Sequence, residues 1–531
     1  MKKAILIVLA AFFSLSATAY DFMVDGLCYL CYDDSTVMVT CQNPDTYMPA
    51  YSSLSGDLVI PSSVTYDGKT YSVLYIDLGA FYLCSDLTSV TIPNTVTAIY
   101  ESAFEGCTSL TSVIIGESVT EIAERAFYDC SSLASITIPN SVAIIGRDAL
   151  YGTAWYDNQP EGLVYAGLVA YKYKGIMPDN TSITLRSDTK GISPYAFSNS
   201  RGLISLAIPD SVSTIGDHAF NECINLASLG IGNSVVSIGD NAFNMCKALQ
   251  SVNIPNSVVT IGNHAFSNCD NLTSLSIGNS VTTIGAGTFA YCPGLTSVTI
   301  PNSVTTIGRL AFNSCSSLAS ITIPNSVSAM GGQVFDGTPW YDNQPEGLVY
   351  AGMVAYKYKG VMPDNTSIVL REGTTGIAGG TFKDCYGLVS VTIPNSVKVI
   401  SSSFQNCQCL IEIRSKIVDI ESVTMVVGAF TRVPTSVCVV RVPIGTSAAY
   451  RRADQWRYFT NIIEDEEMGF LPGDVDGNGN VDGNDLNMLI NIILGKLDAA
   501  DASVVGNPNV DGIGDVDGAD INILINILLG K

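Results

Sequence analysis

The sequence is poor in the side chains that catalytic and nucleic-acid-binding sites most often use. It has two histidines among 531 residues, and 14% of its residues are charged, against roughly 25% in ordinary soluble domains. The 26 basic residues are outnumbered by 49 acidic ones, which gives a formal net charge of −23. This balance argues against nucleic acid as a partner, because phosphates are bound by clustered Lys and Arg. An apolar fraction of 47% excludes intrinsic disorder, which requires low hydrophobicity.

Beyond its first residues, the chain also lacks the apolar run of about 18 residues that a membrane-spanning helix requires. At the start, Lys2 and Lys3 precede an apolar stretch from Ala4 to Leu15, followed by the small residues Ala17-Thr18-Ala19. This pattern is typical of a secretory signal peptide and its cleavage site. We therefore predict cleavage after Ala19, no transmembrane segment, and a protein that is secreted or held at the cell surface.

What the sequence has in abundance is one 23-residue repeat, marked by an aromatic residue. The longest uninterrupted series is Phe197, Phe220, Phe243, Phe266, Phe289, Phe312 and Phe335. Residues Leu295 to Cys315 show the unit, L-T-S-V-T-I-P-N-S-V-T-T-I-G-x-x-A-F-x-x-C. The alternation in Ser297 to Ile300 predicts a strand with one buried face, and Pro301-Asn302 predicts a turn. One unit cannot bury its apolar face alone, so the units must stack into a solenoid.

This unit resembles the BspA-like leucine-rich repeat family of secreted and surface proteins. The resemblance covers about residues 76–415 and implies a mainly β solenoid with a role in adhesion or protein recognition. It names no ligand. The flanking residues 20–75 and 416–463 are predicted to form an N-terminal β cap and a C-terminal cap.

Ten of the fifteen cysteines follow a repeat aromatic by three residues, and we expect them to be buried free thiols. Disulfides between adjacent repeats are the alternative in an oxidising compartment. Cys28 and Cys31 have a redox-like or zinc-like spacing, which we interpret as part of the cap because no second pair accompanies them. His218 and His264 occupy equivalent variable positions, where we expect exposed surface decoration and no acid–base pair.

Two nearly identical inserts interrupt the repeat, at about residues 151–190 and 336–375. Each begins W-Y-D-N-Q-P-E-G and continues into a strand-rich run that predicts a β-hairpin. One interpretation is that the aromatic residues pack the insert onto the solenoid. The other is that they form recognition patches, since Trp and Tyr are favoured at binding hot spots. The residues concerned are Trp155, Tyr156, Trp340 and Tyr341.

The acidic tail carries two candidate calcium loops. Residues 464–531 contain 14 acidic and 2 basic residues, and oxygen-bearing side chains recur there at alternate positions, as calcium loops require. The first loop comprises Asp474, Asp476, Asn478, Asn480 (through its backbone carbonyl), Asp482 and Asp485, with Gly479 at its turn. The second comprises Asn507, Asn509, Asp511, Asp515, Asp517 and Asp520. Its spacing is looser, so we predict two Ca²⁺ sites, the second weaker.

An apolar helix is predicted after each loop, over Leu486 to Leu494 and Ile521 to Leu529. Residues 473–531, joined to the rest by a linker at 464–472, are thereby similar to a type I dockerin. The resemblance implies a small all-α calcium-binding domain that docks onto a cohesin-like module. The dockerin recognition positions correspond here to Gly483, Asn484, Gly518 and Ala519, which differ from the hydroxyl-bearing pair common in cellulosomal dockerins.

Taken together, these features predict a non-catalytic recognition protein whose repeats bind a protein or glycan and whose tail attaches it to a cohesin-bearing assembly or surface. One alternative is a free host- or bacterium-binding adhesin with a structural calcium tail. A second alternative is a component of a polysaccharide-degrading complex with hydrolase activity, which would need paired carboxylates in a cleft.

Overall fold

The computed structural model describes residues 20–42, 50–51 and 54–469, and of the tail residues 474–475, 481, 483–494, 496–497, 504, 516 and 518–528. The predicted signal peptide, residues 1–19, lies outside the described residues. The chain divides into two compact units, Met1–Leu249 and Gln250–Lys531. Among the described residues, no helix is long and apolar enough to cross a bilayer.

The first unit consists of short strands with one helical turn. In chain order these are β1 (Phe22–Val24), β2 (Leu27–Cys31), β3 (Thr36–Thr40), β4 (Gly56–Val59), β5 (Ser63–Tyr66), β6 (Lys69–Ile76), β7 (Leu87–Thr91), β8 (Ala98–Ile99), β9 (Ser112–Ile114), β10 (Glu121–Ile122), β11 (Ser135–Thr137), β12 (Ile144–Ile145), α1 (Ala154–Asp157), β13 (Gly162–Ala166), β14 (Val169–Lys174), β15 (Thr181–Thr184), β16 (Gly191–Ile192), β17 (Leu203–Ala207), β18 (Thr214–Ile215), β19 (Ser228–Gly230) and β20 (Ser237–Ile238).

The second unit continues the same pattern and ends in helices. In chain order these are β21 (Ser251–Asn253), β22 (Thr260–Ile261), β23 (Ser274–Ser276), β24 (Thr283–Ile284), β25 (Ser297–Thr299), β26 (Thr306–Ile307), β27 (Ser320–Thr322), β28 (Ala329–Met330), α2 (Pro339–Asp342), β29 (Gly347–Ala351), β30 (Val354–Lys359), β31 (Thr366–Val369), β32 (Gly376–Ile377), β33 (Leu388–Ile393), β34 (Val399–Ile400), β35 (Glu412–Ser415), β36 (Thr424–Met425), β37 (Val439–Val442), α3 (Ser447–Arg452), β38 (Asn461–Glu464), α4 (Gly483–Ile493) and α5 (Gly518–Leu528). Short 3₁₀ turns lie at Ile420–Ser422, Trp456–Tyr458 and Glu466–Met468.

Each repeat forms one rung with two strands, and equivalent strands of successive rungs pair in parallel. In the first unit Ser112 lies opposite Ser135 and Glu121 lies opposite Ile144, in each case the same position of the next repeat. Strands such as β9 alternate exposed, buried and exposed residues, as predicted from the polar–apolar alternation. The mainly β solenoid expected from the repeat is confirmed.

The aromatic residues of successive repeats stack on one another in the core of each unit. In the first unit the ring centroids of Phe81 and Phe104 are 4.9 Å apart, and those of Phe104 and Phe127 are 5.2 Å apart. In the second unit the Phe289 and Phe312 rings are 5.4 Å apart with nearly parallel planes. These rings are fully buried, and their separation follows the strand spacing of about 4.8 Å.

The third side of each rung is a series of tight turns. Residues two before and two after the aromatic have positive φ, for example Ser102 at 54° and Gly106 at 73°. Alternate N–H groups then point to the next rung, where those of Ser102, Phe104 and Gly106 each donate to a backbone carbonyl. Non-glycine residues tolerate this left-handed conformation because the hydrogen bonds between rungs hold the backbone in it.

Each insert begins a new sheet on both faces of its unit. In the first unit β12 ends the sheet β1-β2-β3-β6-β8-β10-β12, and the next sheet starts with the hairpin, in the order β13-β14-β16-β18-β20. On the other face β11-β9-β7-β4 ends and β15-β17-β19 begins. In the second unit the sheet after α2 likewise runs β29-β30-β32-β34-β36. The hairpins predicted from the sequence are confirmed by antiparallel pairing of β13 with β14 and of β29 with β30.

The tail helices begin earlier than the sequence indicated. We expected them to start at Leu486 and Ile521, whereas α4 starts at Gly483 and α5 at Gly518. The earlier starts place Asp485 and Asp520 in the first turns, where a carboxylate is favoured by the helix dipole. Val475, Leu489 and Leu524 form a small separate core.

Candidate binding surfaces

The strands of each unit present rows of exposed, uncharged polar side chains. In the second unit Ser297 lies beside Ser320, and Thr299 lies beside Thr322. All four are exposed, and the residues between them face the core. In the first unit the corresponding row ends at Asp57, whose carboxylate accepts hydrogen bonds from the Thr88 and Ser89 hydroxyls at 2.9 and 2.6 Å. Those two hydroxyls hold the pKa of Asp57 below its usual range.

Several of the repeated polar side chains serve the fold. The asparagine of the Pro-Asn turn accepts a hydrogen bond from a backbone N–H of the next rung, as Asn256 does from Asn279 at 2.8 Å. Threonine hydroxyls donate to a carbonyl of the preceding rung, as Thr305 does to Thr282 at 3.3 Å. The Ser and Thr side chains of the strand rows are exposed in addition to these structural residues and are available to a ligand.

The repeated cysteine also has a structural role. All fifteen cysteines are free thiols, so the expectation of free thiols is confirmed over the disulfide alternative. The Cys107 thiol donates to the Phe81 carbonyl at 3.2 Å, and Cys315 to Phe289 at 3.1 Å. Burial raises the pKa of Cys315 to about 12, which disfavours the nucleophilic thiolate.

The aromatic residues of the inserts pack against the solenoid. Tyr156 is buried, and its ring meets Tyr171 edge-on at 5.8 Å. Trp340 is half-buried and meets Phe335 edge-on at 4.7 Å, while Tyr341 meets Tyr356 at 5.7 Å. Trp155 is partly buried against the core of the first unit. These contacts favour the packing interpretation and leave only part of each ring for a partner.

One lysine in each insert caps the C-terminal end of the short helix, a role that we did not predict from the sequence. Lys174 Nζ donates to the carbonyls of Tyr156, Asp157 and Gln159 at 3.2, 2.6 and 2.7 Å. Lys359 makes the same three bonds in the second insert, to Tyr341, Asp342 and Gln344. A cation at this end satisfies carbonyls that a helix leaves without a partner. The identical Lys–Tyr–Lys runs were the only sequence signal of this role.

The prediction that both histidines are exposed is wrong. Each is half-buried, and the His218 ring stacks on Tyr195 with centroids 4.5 Å apart. His264 lies over Gly287, where an added Cβ would come within 2.3 Å of its ring. Both have φ near +55°, in the position two before the rung aromatic. There the side chains lie along the neighbouring rung and are covered by it.

The repeat extends one rung beyond residue 415, where we predicted its end. Phe430 follows Phe404 at a longer interval than the repeat allows, yet its ring stacks on Phe404 at 5.5 Å. The pair Ala429-Phe430 was the available signal, and the irregular interval hid it. Trp456 then closes the end of the stack, fully buried and edge-on to Phe430 at 5.0 Å.

Of the predicted calcium ligands, three lie among the described residues, and all three are completely buried: Asp474, Asp485 and Asp520. Asp485 Oδ1 accepts a hydrogen bond from Val475 N–H at 2.7 Å, which places the last predicted ligand of the first loop beside the residue that follows Asp474. The remaining predicted ligands lie outside the described residues: Asp476, Asn478, Asn480, Asp482, Asn507, Asn509, Asp511, Asp515 and Asp517.

Two of the predicted docking residues, Gly483 and Asn484, are exposed at the start of α4, and Gly518 and Ala519 lie at the start of α5. Within the described part of the chain, no three His, Cys, Asp or Glu side chains come together as a metal site would require.

The stacked rungs, their parallel ladders and the buried aromatic column define a leucine-rich repeat solenoid. The family model of the BspA type leucine rich repeat region matches six copies, at residues 62–158, 170–295, 236–343 and 355–425. These matches cover more than half of the chain. The chain belongs to the BspA type leucine-rich repeat family.

Solved leucine-rich repeat structures resemble the chain over long stretches but superpose loosely. A leucine-rich repeat protein from Bacteroides ovatus is 24% identical, with 84% of this chain and 100% of that chain covered and a TM-score of 0.31. A leucine rich cell surface protein from Faecalibacterium prausnitzii is 26% identical, with 74% and 94% covered and a TM-score of 0.25. One from Bacteroides capillosus is 30% identical, with 25% and 91% covered and a TM-score of 0.21. No curated protein matches the chain.

Proposed function

We propose that this chain is a non-catalytic recognition protein of the cell surface or exterior, and that its repeat surface binds a protein or a glycan. The observation that carries this proposal is the set of exposed polar rows held in register on the strands, such as Ser297 with Ser320 and Thr299 with Thr322. A regular surface of hydroxyl groups offers many donors and acceptors at fixed spacing. Family membership supports the surface location, and one solved relative is described as a cell surface protein.

The test is binding of the purified chain to glycan arrays and to surface protein extracts. Thr299→Arg and Thr322→Arg place large charged side chains on the row, and we expect them to weaken binding at least tenfold. Ser317→Arg, at an exposed residue outside the strand, is the matched control. Binding that is indifferent to the row substitutions would contradict the proposed surface, and absence of binding to every arrayed glycan and extract would contradict the proposed function.

We further propose that the tail binds Ca²⁺ and docks onto a cohesin-like module. The support is the complete burial of the Asp474, Asp485 and Asp520 side chains. A buried carboxylate is costly unless it is paired or coordinates a metal, and oxygen-rich sites suit Ca²⁺. The residues that would hold it are the two predicted ligand sets, and the ion would supply the charge that balances them.

Calorimetry of the full chain with Ca²⁺ tests the tail, with Mg²⁺ as the comparison ion. We expect one stronger and one weaker site, with the stronger lost in Asp474→Asn and Asp485→Asn. A pull-down with a cohesin module, with and without chelator, then tests docking. If titration with Ca²⁺ releases no heat, and Ca²⁺ does not change the resistance of the tail to proteolysis, the calcium proposal is wrong. Calcium binding without cohesin capture would leave the tail as a structural element.

A further inference from the structure

A small surface cleft of about 240 Å³ lies on the last rungs of the second unit. Its lining comes from two consecutive positions on three successive rungs: Lys383, Asp384, Gln405, Asn406, Thr431 and Arg432. The second residue of each pair has φ between 60° and 66°, so these side chains project from the turns in one column. The volume is below the roughly 300–1,000 Å³ of sites for drug-sized ligands and suits a single sugar ring.

Two cations stand on the outer rungs of this cleft. Lys383 and Arg432 are exposed, and neither makes an ion pair with any residue that the structure describes. By contrast, five cations of these rungs and of the C-terminal cap have a carboxylate within 4 Å: Arg414, Lys416, Arg441, Arg452 and Arg457. In a chain of net charge −23, a cleft lined by two cations and one carboxylate, Asp384, has a local excess of positive charge that favours an anion.

The middle of the cleft is a fixed polar network. Asn406 Nδ2 donates to Asp384 Oδ1 and to the Tyr386 hydroxyl, both at 2.7 Å. Gln408 Nε2 donates to Asn406 Oδ1, also at 2.7 Å. Beside this network Tyr386 exposes 53% of its surface, so its ring is open to a ligand. Donors, acceptors and an exposed aromatic ring therefore surround the position that the two cations flank.

We infer that this cleft binds a sugar that carries a carboxylate. Arg432 matches the planar carboxylate with two parallel N–H donors, and Lys383 adds a second positive charge. Asp384 and Gln405 offer acceptors and donors to ring hydroxyls, and Tyr386 packs on the apolar face of the ring. The inference rests on the proposed recognition role and specifies the ligand class of one part of the surface.

The test is calorimetric titration of the full chain with a galacturonic acid trimer, a neutral galactose trimer and sodium acetate, at low and high salt. We expect binding of the acidic trimer that weakens with salt, at least tenfold weaker binding of the neutral trimer, and no saturable acetate binding. Arg432→Gln and Lys383→Gln should each weaken the acidic trimer at least fivefold. Arg457→Gln, an exposed arginine outside the cleft, is the control, and the melting temperature verifies that each variant is folded.

Equal binding of the acidic and neutral trimers would overturn the carboxylate assignment, and saturable acetate binding of similar strength would overturn the sugar assignment. No binding of any trimer, or binding unchanged in both cleft variants, would overturn the inference as a whole. The broader recognition role is tested separately, because the array and extract experiment uses substitutions on the strand rows and keeps the cleft intact.

Discussion

Residues 155–186 and 340–371 are the same segment used twice, with three differences in 32 positions, and yet their surroundings differ. Both make the hairpin, the short helix and the lysine closure. In the second insert, however, Lys357 forms a 2.6 Å ion pair with Asp336, while in the first the equivalent of Asp336 is Tyr151. Lys172 consequently makes no ion pair with a described residue, and burial lowers its pKa. The comparison teaches that the insert fixes its own fold, and that the preceding rung decides its electrostatics and ring contacts.

The largest expected difference between the inserts concerns their tryptophans. Trp340→Ala should lower local stability by about 3 kcal/mol, the low end for a truncated aromatic because the ring is half-buried. Trp155→Ala should cost about 1 kcal/mol less, because Leu150 stands where Phe335 pairs with Trp340. Amide hydrogen exchange of peptides from each insert gives the two values separately. Tyr458→Ala, at an exposed ring, is the control, and equal losses in the two inserts would contradict the role of Phe335.

Loss of the lysine that closes the short helix should destabilise both inserts equally. Lys174→Met and Lys359→Met each leave three carbonyls without their charged donor, and we expect a loss of about 2 kcal/mol in each case. Exchange protection of the helix and the following turn is the measurement. Lys398→Met, at an exposed lysine, should change little. A loss of stability in only one insert would contradict the expectation that the same three hydrogen bonds contribute equally in both.

The ion pair of the second insert should contribute less. Asp336→Asn removes the partner of Lys357 and weakens the bond that Asp336 accepts from the Tyr356 hydroxyl at 3.1 Å. Because both side chains of the pair are partly exposed, we expect a loss of about 1 kcal/mol. The reciprocal substitution Tyr151→Asp supplies Lys172 with a carboxylate. We expect it to stabilise the first insert, which would be measured as slower amide hydrogen exchange there. If Asp336→Asn has no effect at low salt, the pair is not stabilising.

The smallest expected effect is a pH dependence of the stability of the first insert, through Lys172. The pKa of Lys172 is lowered in the folded state, chiefly by burial, so the unfolded state binds more protons between that value and the unfolded pKa of about 10.4. Stability should therefore rise with pH across this window, and the penalty is fully present below it. The difference in unfolding free energy between wild type and Lys172→Met, measured from pH 7 to 10, should shrink as pH rises. A constant difference would contradict the shift.

The sequence predicted those parts of the fold in which a residue contacts the equivalent residue of the next repeat. Phe104 contacts Phe127 and Ser112 lies beside Ser135 because a solenoid places equivalent positions of adjacent rungs together. The buried cysteines follow from the same rule. The histidines departed from expectation because their left-handed turn positions are covered by the neighbouring rung, a backbone property that composition does not reveal. The rung at Phe430 was missed because the longer interval before it broke the period.

By itself, then, the sequence determined the stacked rungs, the buried aromatic and thiol columns, and the two hairpins, since these follow from local alternation and a constant period. The calcium loops and docking positions of the tail remain predictions from spacing. Only the tertiary structure decided which side chains of different rungs meet: the lysine that closes each short helix, the carboxylate that pairs Lys357, and the cleft between Lys383 and Arg432. The physical reason is that these contacts join residues from different rungs or insert segments. Their geometry depends on irregular sequence intervals and on the neighbouring side chains, and it does not follow from the repeat period.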